Sequence, residues 1–420
     1  MVVVPVKFGN PVIFESRISA PTSAYEFLLT TWPVTWSYWA LGLVAIAAGA
    51  VWRWKTGRLG WMLALPLAWF GWTLLSATQT VDGSLTQLTL LQFGGCVVCF
   101  FAGVFGLSEL KDLRPVWVGL ALGLVVILGM ALEQHFGGLE RTRLAFENLA
   151  PGVRAQFDTP EFRRKILSDR IFGTFIYPNA LAGGILLLLP VTLAGLWRLG
   201  RNPLFKWGLG TAFMAAALAA LYWSGSKSGW LIALTMAGFA ICRFPATFRL
   251  KATLFAALLV VGGLAFVGKH SSYFERGASS LVARADYWRA AGQMIRQRPM
   301  LGYGPGTFMR QYSTLKAAEA EMARLAHNDY LQQGCDTGLP AMLFYGAFVA
   351  ATLVVLYRQG SYLPVWLGAF AFAAQGLSEF GLYIPALAWP FFLFVGWLWG
   401  LRMNEFDKPS AANYAPPPKK

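Results

Sequence analysis

Two long polar segments, at 135–173 and 269–337, interrupt an otherwise apolar chain, and both are rich in arginine. The arginine guanidinium is planar, always charged and matched in shape to the paired oxygens of a phosphate group. Arg170 stands immediately before an apolar run, where an unpaired charge is costly. Arg284 lies within a helical pattern in the second segment. These residues predict an anion site, for which phosphate is the best match. Anchoring of the arginines to the membrane surface is the alternative.

Histidine is the side chain best suited to act as a general base near neutral pH. The chain contains three histidines, of which His135 ends an apolar run and His270 begins the second polar segment. We interpret these two as solvated or interfacial. His327 is followed directly by Asn328 and Asp329, so that three polar side chains occur together. His327 is therefore the candidate base, and a purely structural role is the alternative.

The sequence carries no pattern typical of a metal, nucleotide or serine-nucleophile site. No His/Glu cluster has zinc spacing, and no pair of aspartates indicates magnesium. No phosphate-binding glycine loop or GxSxG elbow occurs in the context that it requires. Cys96 and Cys99 lie within an apolar run and are typical of small packing residues. We therefore expect a reaction without metal or cofactor, on an already activated substrate.

The composition identifies the class of protein in which these residues must be positioned. Of 420 residues, 56% are hydrophobic and 13% charged, whereas soluble proteins carry about 25% charged residues. This excludes a soluble cytosolic enzyme, a disordered chain and a small disulfide-stabilised fold. The net charge of +15 would fit a nucleic-acid binder. However, the basic residues stand mostly in short breaks between apolar runs, where membrane topology signals occur.

Eleven apolar runs predict an all-α polytopic membrane protein, since a helix needs roughly 17–25 residues to cross a bilayer. They cover 34–51, 61–78, 85–107, 115–134, 174–197, 206–223, 228–243, 250–268, 338–357, 362–377 and 384–401. One set of short connections carries twelve basic residues, whereas the alternate set carries only Lys227. The basic set should be cytoplasmic, which places both long polar segments outside and the C-terminus inside.

These patterns divide the chain into three parts. Residues 34–402 form a single transmembrane catalytic domain that includes both polar segments. Residues 1–33 are mixed in character and form either an interfacial segment or a weak first span. Residues 403–420 read as a disordered cytoplasmic tail, because they are rich in alanine, proline and lysine.

The second polar segment has the pattern of two helices separated by a tight GYGPG loop. The apolar stripe of the first helix consists of Leu281, Ala285, Trp288, Ala291 or Gly292, and Ile295. We assign Arg289 and Arg296 to the solvated or membrane-facing side of this helix. The second helix is expected from Leu315 to Gln333, with His327 on it. At the end of the first polar segment, Asn179 is expected near the N-cap of the following helix.

Four blocks of the chain carry a family resemblance. They are RIFGTFIYPNALAG from Arg170, SGSKSGW at 224–230, ARADYWRAAGQMIRQRPMLGYGPGTF, and AHNDYLQQGCDTGLPA. In this order, and with this hydropathy, they resemble the superfamily of O-antigen ligases and O-antigen polymerases. The resemblance covers the chain from about residue 170 to 345. The N-terminal third carries no such motif.

The resemblance implies a GT-C-like bundle of about 11–12 transmembrane helices with a helical periplasmic loop, in the bacterial inner membrane. Members of this superfamily transfer a glycan from undecaprenyl pyrophosphate at the periplasmic face. Ligases deliver it to the lipid A–core, polymerases to another lipid-linked glycan, and some relatives to protein side chains. The implied partners are therefore the lipid-linked donor, the acceptor and membrane lipids, with no nucleic acid.

The same resemblance implies roles for individual residues. Arg170 and Arg284 match the pyrophosphate-binding arginines, and His327 matches the base of an inverting, metal-independent displacement. Lys227 stands where the family commonly has arginine, and its role is weaker because lysine lacks the bidentate fork. The remaining candidates are Asp329 as fallback base, Glu379 as a more remote base, and Asn328 in support.

The activity has alternatives within and outside the superfamily. Residues 137–171 contain seven Arg/Lys against five Asp/Glu, which favours a ligase acting on the phosphorylated lipid A–core. A polymerase or a protein oligosaccharyltransferase would use the same catalytic blocks. A lipid or glycan transporter would also have many spans, but intramembrane acidic residues are scarce and no inverted repeat is visible. A membrane scaffold would give no reason for arginine and histidine to gather on one face.

Overall fold

The computed structural model describes residues 2–52, 60–148, 167–199, 202–275, 279–357 and 362–406. Within these ranges the chain is helical, and its only β-type pairing is a single bridge between Gly9 and Phe175. The described α-helices, in chain order, are α1 (Val3–Lys7), α2 (Ala24–Leu29), α3 (Val34–Ala50), α4 (Trp61–Ala77), α5 (Gly83–Phe101), α6 (Arg114–Glu133), α7 (Leu139–Glu147), α8 (Pro178–Leu199), α9 (Pro203–Ser224), α10 (Lys227–Arg243), α11 (Phe248–Glu275), α12 (Ser279–Gln297), α13 (Phe308–Leu315), α14 (Asp329–Thr337), α15 (Leu339–Leu356), α16 (Leu363–Gln375) and α17 (Pro385–Phe406).

Each apolar run of the sequence is a helix in the structure. Seven continuous helical stretches are long and apolar enough to cross a membrane: Gly83–Glu109, Arg114–Leu144, Pro178–Leu199, Pro203–Ser224, Phe248–Glu275, Leu339–Leu356 and Pro385–Glu405. Helices α3, α4 and α16 are shorter apolar helices, and α10 fills the remaining run. A helix satisfies its backbone hydrogen bonds internally, which a lipid environment demands. The prediction of an all-α polytopic membrane protein is confirmed.

The core of the bundle lies around α8 and α17. Helix α8 packs against α6, α9 and α16, and α17 packs along α5. The α5–α17 contact is close because glycines lie at the crossing: a Cβ atom on Gly396 would stand 2.0 Å from the Phe100 carbonyl oxygen. Helix α11, in contrast, packs mainly on α10 and leaves most of its apolar surface uncovered by protein.

The connecting segments group into two faces, as the alternation of the predicted spans requires. On one face, the Val81 amide donates to the Tyr303 carbonyl at 2.9 Å, which joins two segments that are far apart in sequence. On the other face, the Arg243 guanidinium donates to the Tyr357 carbonyl at 2.8 Å. The charge rule makes the first face periplasmic, and this assignment stays a prediction. Five of the basic residues behind it lie outside the described residues: Arg53, Lys55, Arg58, Arg201 and Arg358.

Residues 1–33 lie on the first face and contain only short helices. The described helices there are α1, α2 and the 3-10 helix Val12–Arg17, each of five or six residues. None is long enough to cross a bilayer. The segment is fixed to the bundle by Glu15, whose carboxylate accepts hydrogen bonds from the amides of Val34 and Thr35 at 2.7 and 3.1 Å, at the start of α3.

The expected helix from Leu315 to Gln333 is wrong. Helix α13 ends at Leu315, and α14 begins only at Asp329. Two local bonds fix this arrangement. Asn328 caps α14, and the Ala326 amide donates to the Gln332 side-chain oxygen at 2.6 Å. The alanine- and glutamate-rich stretch at 316–323 is therefore not helical, in spite of its helical propensity.

The apolar stripe of α12 is rotated relative to the expectation. Its buried residues are Tyr287, Ala290, Ala291 and Met294, whereas Leu281 is exposed. Trp288 and Ile295 are only partly buried at the edge of this cluster. Arg289 and Arg296 do lie on the exposed side.

The boundaries of two predicted segments also differ from the expectation. Helix α11 continues to Glu275 and so includes the first seven residues of the polar segment expected from position 269. Helix α17 continues to Phe406, so the first four residues of the expected tail are helical. The rest of that tail, like residues 149–166 of the first polar segment, lies outside the described residues.

The sidedness can be tested by thiol labelling of intact cells. Ser313 on α13 and Lys111 before α6 are both exposed, on opposite faces. In a Cys242→Ser background, which removes the one exposed cysteine among the four, we expect Ser313→Cys to react with a membrane-impermeant reagent. Lys111→Cys should react only after the cells are permeabilised. The reverse pattern would contradict the predicted topology.

Candidate functional site

A buried carboxylate, that of Glu379, lies where the predicted site residues meet. Glu379 stands in the connection between α16 and α17, and its side chain is 7% exposed. Its Oε1 atom accepts hydrogen bonds from Arg284 Nη2 and from Asn179 Nδ2, the latter at 2.5 Å. Its Oε2 atom lies 3.3 Å from Nδ1 of His327. The structure thus joins Arg284 and His327, 43 residues apart in sequence, through one carboxylate.

The partners of Glu379 keep it ionised. Burial by itself would raise the pKa of this carboxyl. The hydrogen bond from His327, the charge of Arg284 and the bond from Asn179 act against burial, and the pKa lies below its usual value. A charged Glu379 balances one of the cations around it.

Arg170 joins the same network through Asn179. Its Nη2 donates to Asn179 Oδ1 at 2.7 Å, and its Nε donates to the carbonyl oxygen of Ser224 at 2.6 Å. Asn179 lies in the first turn of α8, and Gln375 donates to its backbone carbonyl at 2.5 Å. The expected N-cap residue therefore acts as a bridge between Arg170 and Glu379.

Both arginines keep hydrogen-bond donors for a ligand. A guanidinium carries five N–H groups, and the two bonds above use two of those on Arg170. Arg284 also donates from Nε to the Ser378 carbonyl at 3.0 Å and from Nη1 to the Ser280 carbonyl at 3.1 Å. Burial lowers the pKa of Arg170, which Glu379 opposes and the charge of Arg284 reinforces. Two cations therefore share one carboxylate within a confined space.

His327 occupies a strained position beside this carboxylate. Its φ angle is +51°, and it is the only non-glycine residue with a positive φ in the described part of the chain. Such a conformation costs on the order of 1–3 kcal/mol and is retained where the surroundings impose it. The ring of Tyr287 lies nearly parallel to the imidazole at 5.7 Å, and the ring of Phe380 meets it edge-on at 4.7 Å. His327 remains 28% exposed, so a substrate can reach it.

Asn328 and Asp329 hold the backbone next to His327. Asn328 Oδ1 accepts from the amides of Tyr330 and Leu331 at 3.0 and 2.9 Å and so caps α14. The Asp329 carboxylate is fully buried and accepts from the Leu382 amide at 3.1 Å. Burial raises the pKa of Asp329. Both side chains thus contact structural partners, and Asp329 has no exposed surface toward a substrate.

Lys227 lies at the edge of the cluster. It is the first residue of α10, after Ser226, whose side chain caps that helix. Its Nζ atom stands 3.7 Å above the ring of Tyr273, in a cation–π contact. The charges of Arg170 and Arg284 are close enough to act on it. Lys227 therefore lies within electrostatic range of both arginines of the cluster.

The other two histidines are not part of this network. His135 is exposed and stacks on Trp223 with 3.7 Å between ring centroids. His270 is buried and packs against Phe266, so its expected solvated or interfacial placement is wrong. In the described ranges, no group of three His, Cys, Asp or Glu side chains could hold a metal ion.

Two contributors were missed by the sequence analysis. The sequence predicted Asn179 only as a helix cap. In the structure, its side-chain amide accepts from Arg170 and donates to Glu379. Asp336 is buried and accepts from the Gly306 amide at 2.8 Å, from Gln332 at 2.7 Å and from the Tyr383 hydroxyl at 3.2 Å. It fixes the GYGPG loop over the end of α14. No sequence signal other than the acidic residue within a loop helix marked it.

Comparison with known proteins identifies a related family. Residues 212–346, about a third of the 420 residues, match a family model described as O-antigen ligase. No curated protein matches the chain. The match confirms the resemblance to the O-antigen ligase and polymerase superfamily. It includes Lys227, Arg284 and His327, whereas Arg170 and Glu379 lie outside the matched residues.

Two substitutions at Asp329 separate a structural role from a catalytic one. Asp329→Ala leaves the buried Leu382 amide without its acceptor, which should lower the stability by about 1–3 kcal/mol. Asp329→Asn retains a side-chain oxygen for this amide, and we expect it to fold and to keep its activity. The measurements are thermal unfolding of the purified variants and a transfer assay. A folded but inactive Asp329→Asn variant would return this residue to the catalytic candidates.

Proposed function

We propose that this protein is an O-antigen ligase that transfers a glycan from undecaprenyl pyrophosphate to the lipid A–core at the periplasmic face of the inner membrane. The supporting observation is the convergence of His327, Arg170 and Arg284 on Glu379. A base and a set of phosphate-binding cations are the two components that a glycosyl transfer from a lipid pyrophosphate needs. The family match supports this class of reaction.

The carboxylate of Glu379 orients the base. The imidazole donates its Nδ1–H to Glu379 Oε2, which leaves the Nε2 lone pair for the substrate. When Nε2 takes a proton from an acceptor hydroxyl, the ionised carboxylate stabilises the imidazolium that forms. The positive φ of His327 and the flanking rings of Tyr287 and Phe380 define where Nε2 points.

The cations stabilise the leaving group. The acceptor oxygen forms a bond to the anomeric carbon while the bond between that carbon and the pyrophosphate oxygen breaks. The displacement occurs from the face opposite the leaving group, and the configuration inverts. Negative charge builds up on the departing undecaprenyl pyrophosphate, where Arg170 and Arg284 supply preorganised donors and Lys227 supplies a further charge. With these cations in place, the proposed reaction needs no metal.

The acceptor distinguishes a ligase from a polymerase. The basic surplus of the first polar segment favours the phosphorylated lipid A–core, and a polymerase would use the same cluster with another glycan as acceptor. Deletion of the gene distinguishes the two. Loss of a ligase leaves lipopolysaccharide uncapped, and lipid-linked polymer accumulates. Loss of a polymerase leaves only single repeats, which are still transferred to the lipid A–core.

The base is tested by His327→Ala. We expect transfer to fall by about a hundredfold to ten-thousandfold, with donor binding retained, because the general base is lost but the cations remain. Glu379→Gln should also slow transfer, since it removes the charge that stabilises the imidazolium. The assay uses purified variants and a defined lipid-pyrophosphate donor. Near-normal transfer by His327→Ala would refute the assignment, and reversible inhibition of the wild type by EDTA would contradict the metal-independent mechanism.

The arginines are tested by exchange for lysine. Arg170→Lys and Arg284→Lys keep the charge but lose the bidentate fork, so we expect a loss of about ten- to a hundredfold in transfer. Arg289→Gln is the matched control, because Arg289 is exposed on the same helix as Arg284 and pairs only with Asp286 among the described contacts. Full activity of both lysine variants, together with loss in Arg289→Gln, would show that the site lies on another face.

A further inference from the structure

A row of aromatic side chains extends from His327 to the N-terminal segment. The Phe380 ring meets His327 at 4.7 Å, Tyr177 lies 5.4 Å from Phe380, and Phe14 lies 6.3 Å from Tyr177 between ring centroids. At the far end, the guanidinium carbon of Arg324 stands 4.8 Å from the centroid of the Phe14 ring. Phe380 is buried, whereas Phe14, Tyr177 and Arg324 are each partly exposed. The row therefore links the candidate base to a partly open surface.

The aromatic row approaches His327 from a different element than the one that carries Arg284, the arginine that pairs with Glu379. Tyr287, the ring parallel to His327, belongs to α12, one turn after Arg284. The row begins instead at Phe380 and continues through Tyr177, which immediately precedes α8. If the donor pyrophosphate lies against the arginines, the row provides a second surface next to the same base. An acceptor needs such a surface, because its hydroxyl must reach both the base and the anomeric carbon.

The N-terminal segment is held firmly enough to form part of a binding site. Gly9 pairs with Phe175, and a Cβ atom on Gly9 would stand 2.4 Å from the Thr174 carbonyl oxygen, so the two strands of chain touch. Thr174 donates from its hydroxyl to the Pro5 carbonyl at 3.2 Å. The Ala386 amide, in the first turn of α17, donates to the Phe8 carbonyl at 3.1 Å. These contacts fix Phe14 relative to Tyr177.

The chemistry of the row identifies the kind of ligand. Aromatic side chains offer apolar surface and, in tyrosine, a polar edge, which suits the mixed faces of a sugar ring. A guanidinium stacked on a ring keeps its planar fork in a defined orientation and binds phosphate or carboxylate oxygens in pairs. Arg324 lies only three residues before His327 in the chain. A negatively charged group bound there would belong to a ligand that lies along the aromatic row.

We propose that Phe14, Tyr177 and Arg324 form an acceptor subsite, which takes a glycan acceptor that carries a negatively charged substituent. This inference rests on the proposed function, because it presumes that His327 acts on an acceptor hydroxyl. It assigns a role to the N-terminal segment, which lies outside the residues that match the family model. Recognition of the acceptor would therefore depend on a part of the chain that the catalytic blocks do not include.

The test compares two acceptor probes on the purified full-length protein. One is lipid A–core glycolipid with its phosphate groups, and the other is the same glycolipid after phosphatase treatment. We expect the wild type to bind the phosphorylated glycolipid about ten- to a hundredfold more tightly. Arg324→Gln should remove this difference and raise the acceptor KM by the same factor, with kcat and donor binding little changed. Phe14→Leu should raise the acceptor KM for both probes.

Two control variants, and the comparison of the two probes on the wild type, test whether the subsite exists. Phe27→Leu alters an exposed ring on the same N-terminal segment, and Arg289→Gln removes an exposed arginine; neither should change the acceptor KM. Equal binding of the two probes by the wild type, or no binding of either, would overturn the subsite without any variant. A fall in kcat at constant KM in Arg324→Gln would overturn it as well. The proposed function fails separately, through normal transfer by His327→Ala.

Discussion

The ionised carboxylate of Glu379 inside the bundle is the constraint on which the rest of the site depends. A buried carboxylate is tolerated only with charged or hydrogen-bonding partners, and here its three direct partners come from three distant places in the chain. Arg284 comes from α12, His327 from the segment before α14, Asn179 from the start of α8, and Arg170 joins through Asn179. Removing the carboxylate would leave the two guanidinium groups close together without a counter-charge. The same group that orients the base therefore also keeps the cations of the site together.

The membrane architecture supplies the rigidity that this network needs. Helices α8 and α17 form the buried centre of the bundle, and Glu379 lies in the connection that leads into α17. Asp329 ties the same connection to α14 through the Leu382 amide. The site is therefore placed by helix ends and short connections on one face, whereas the apolar interior below it is closely packed. Charged groups can converge there because they are held at the ends of helices and stay out of the lipid.

The sequence was informative wherever one physical signal dominates. Apolar length predicted each of the seven described helical stretches that are long and apolar enough to cross a membrane, because lipid demands continuous internal hydrogen bonding. It did not predict that α14 begins only after His327, since this boundary depends on two specific side-chain bonds, the cap by Asn328 and the bond from the Ala326 amide to Gln332. Glu379 was placed on an outer turn but ranked as a remote base, because no spacing rule relates it to a histidine 52 residues earlier. The arrangement of residues 1–33 could not be predicted either, since backbone contacts with the segment around Phe175 hold these residues in place.

The left-handed backbone at His327 has a consequence for the handling of this protein. Glycine or asparagine adopts a φ of +51° with less strain than histidine does. At this position, catalysis and thermodynamic robustness therefore make opposite demands on the side chain. Exchange of His327 for glycine or asparagine reduces the backbone strain and also removes the candidate base. Such a variant would be an inert form with an unstrained backbone at this position, in which a lipid-linked substrate could be captured intact for structural study.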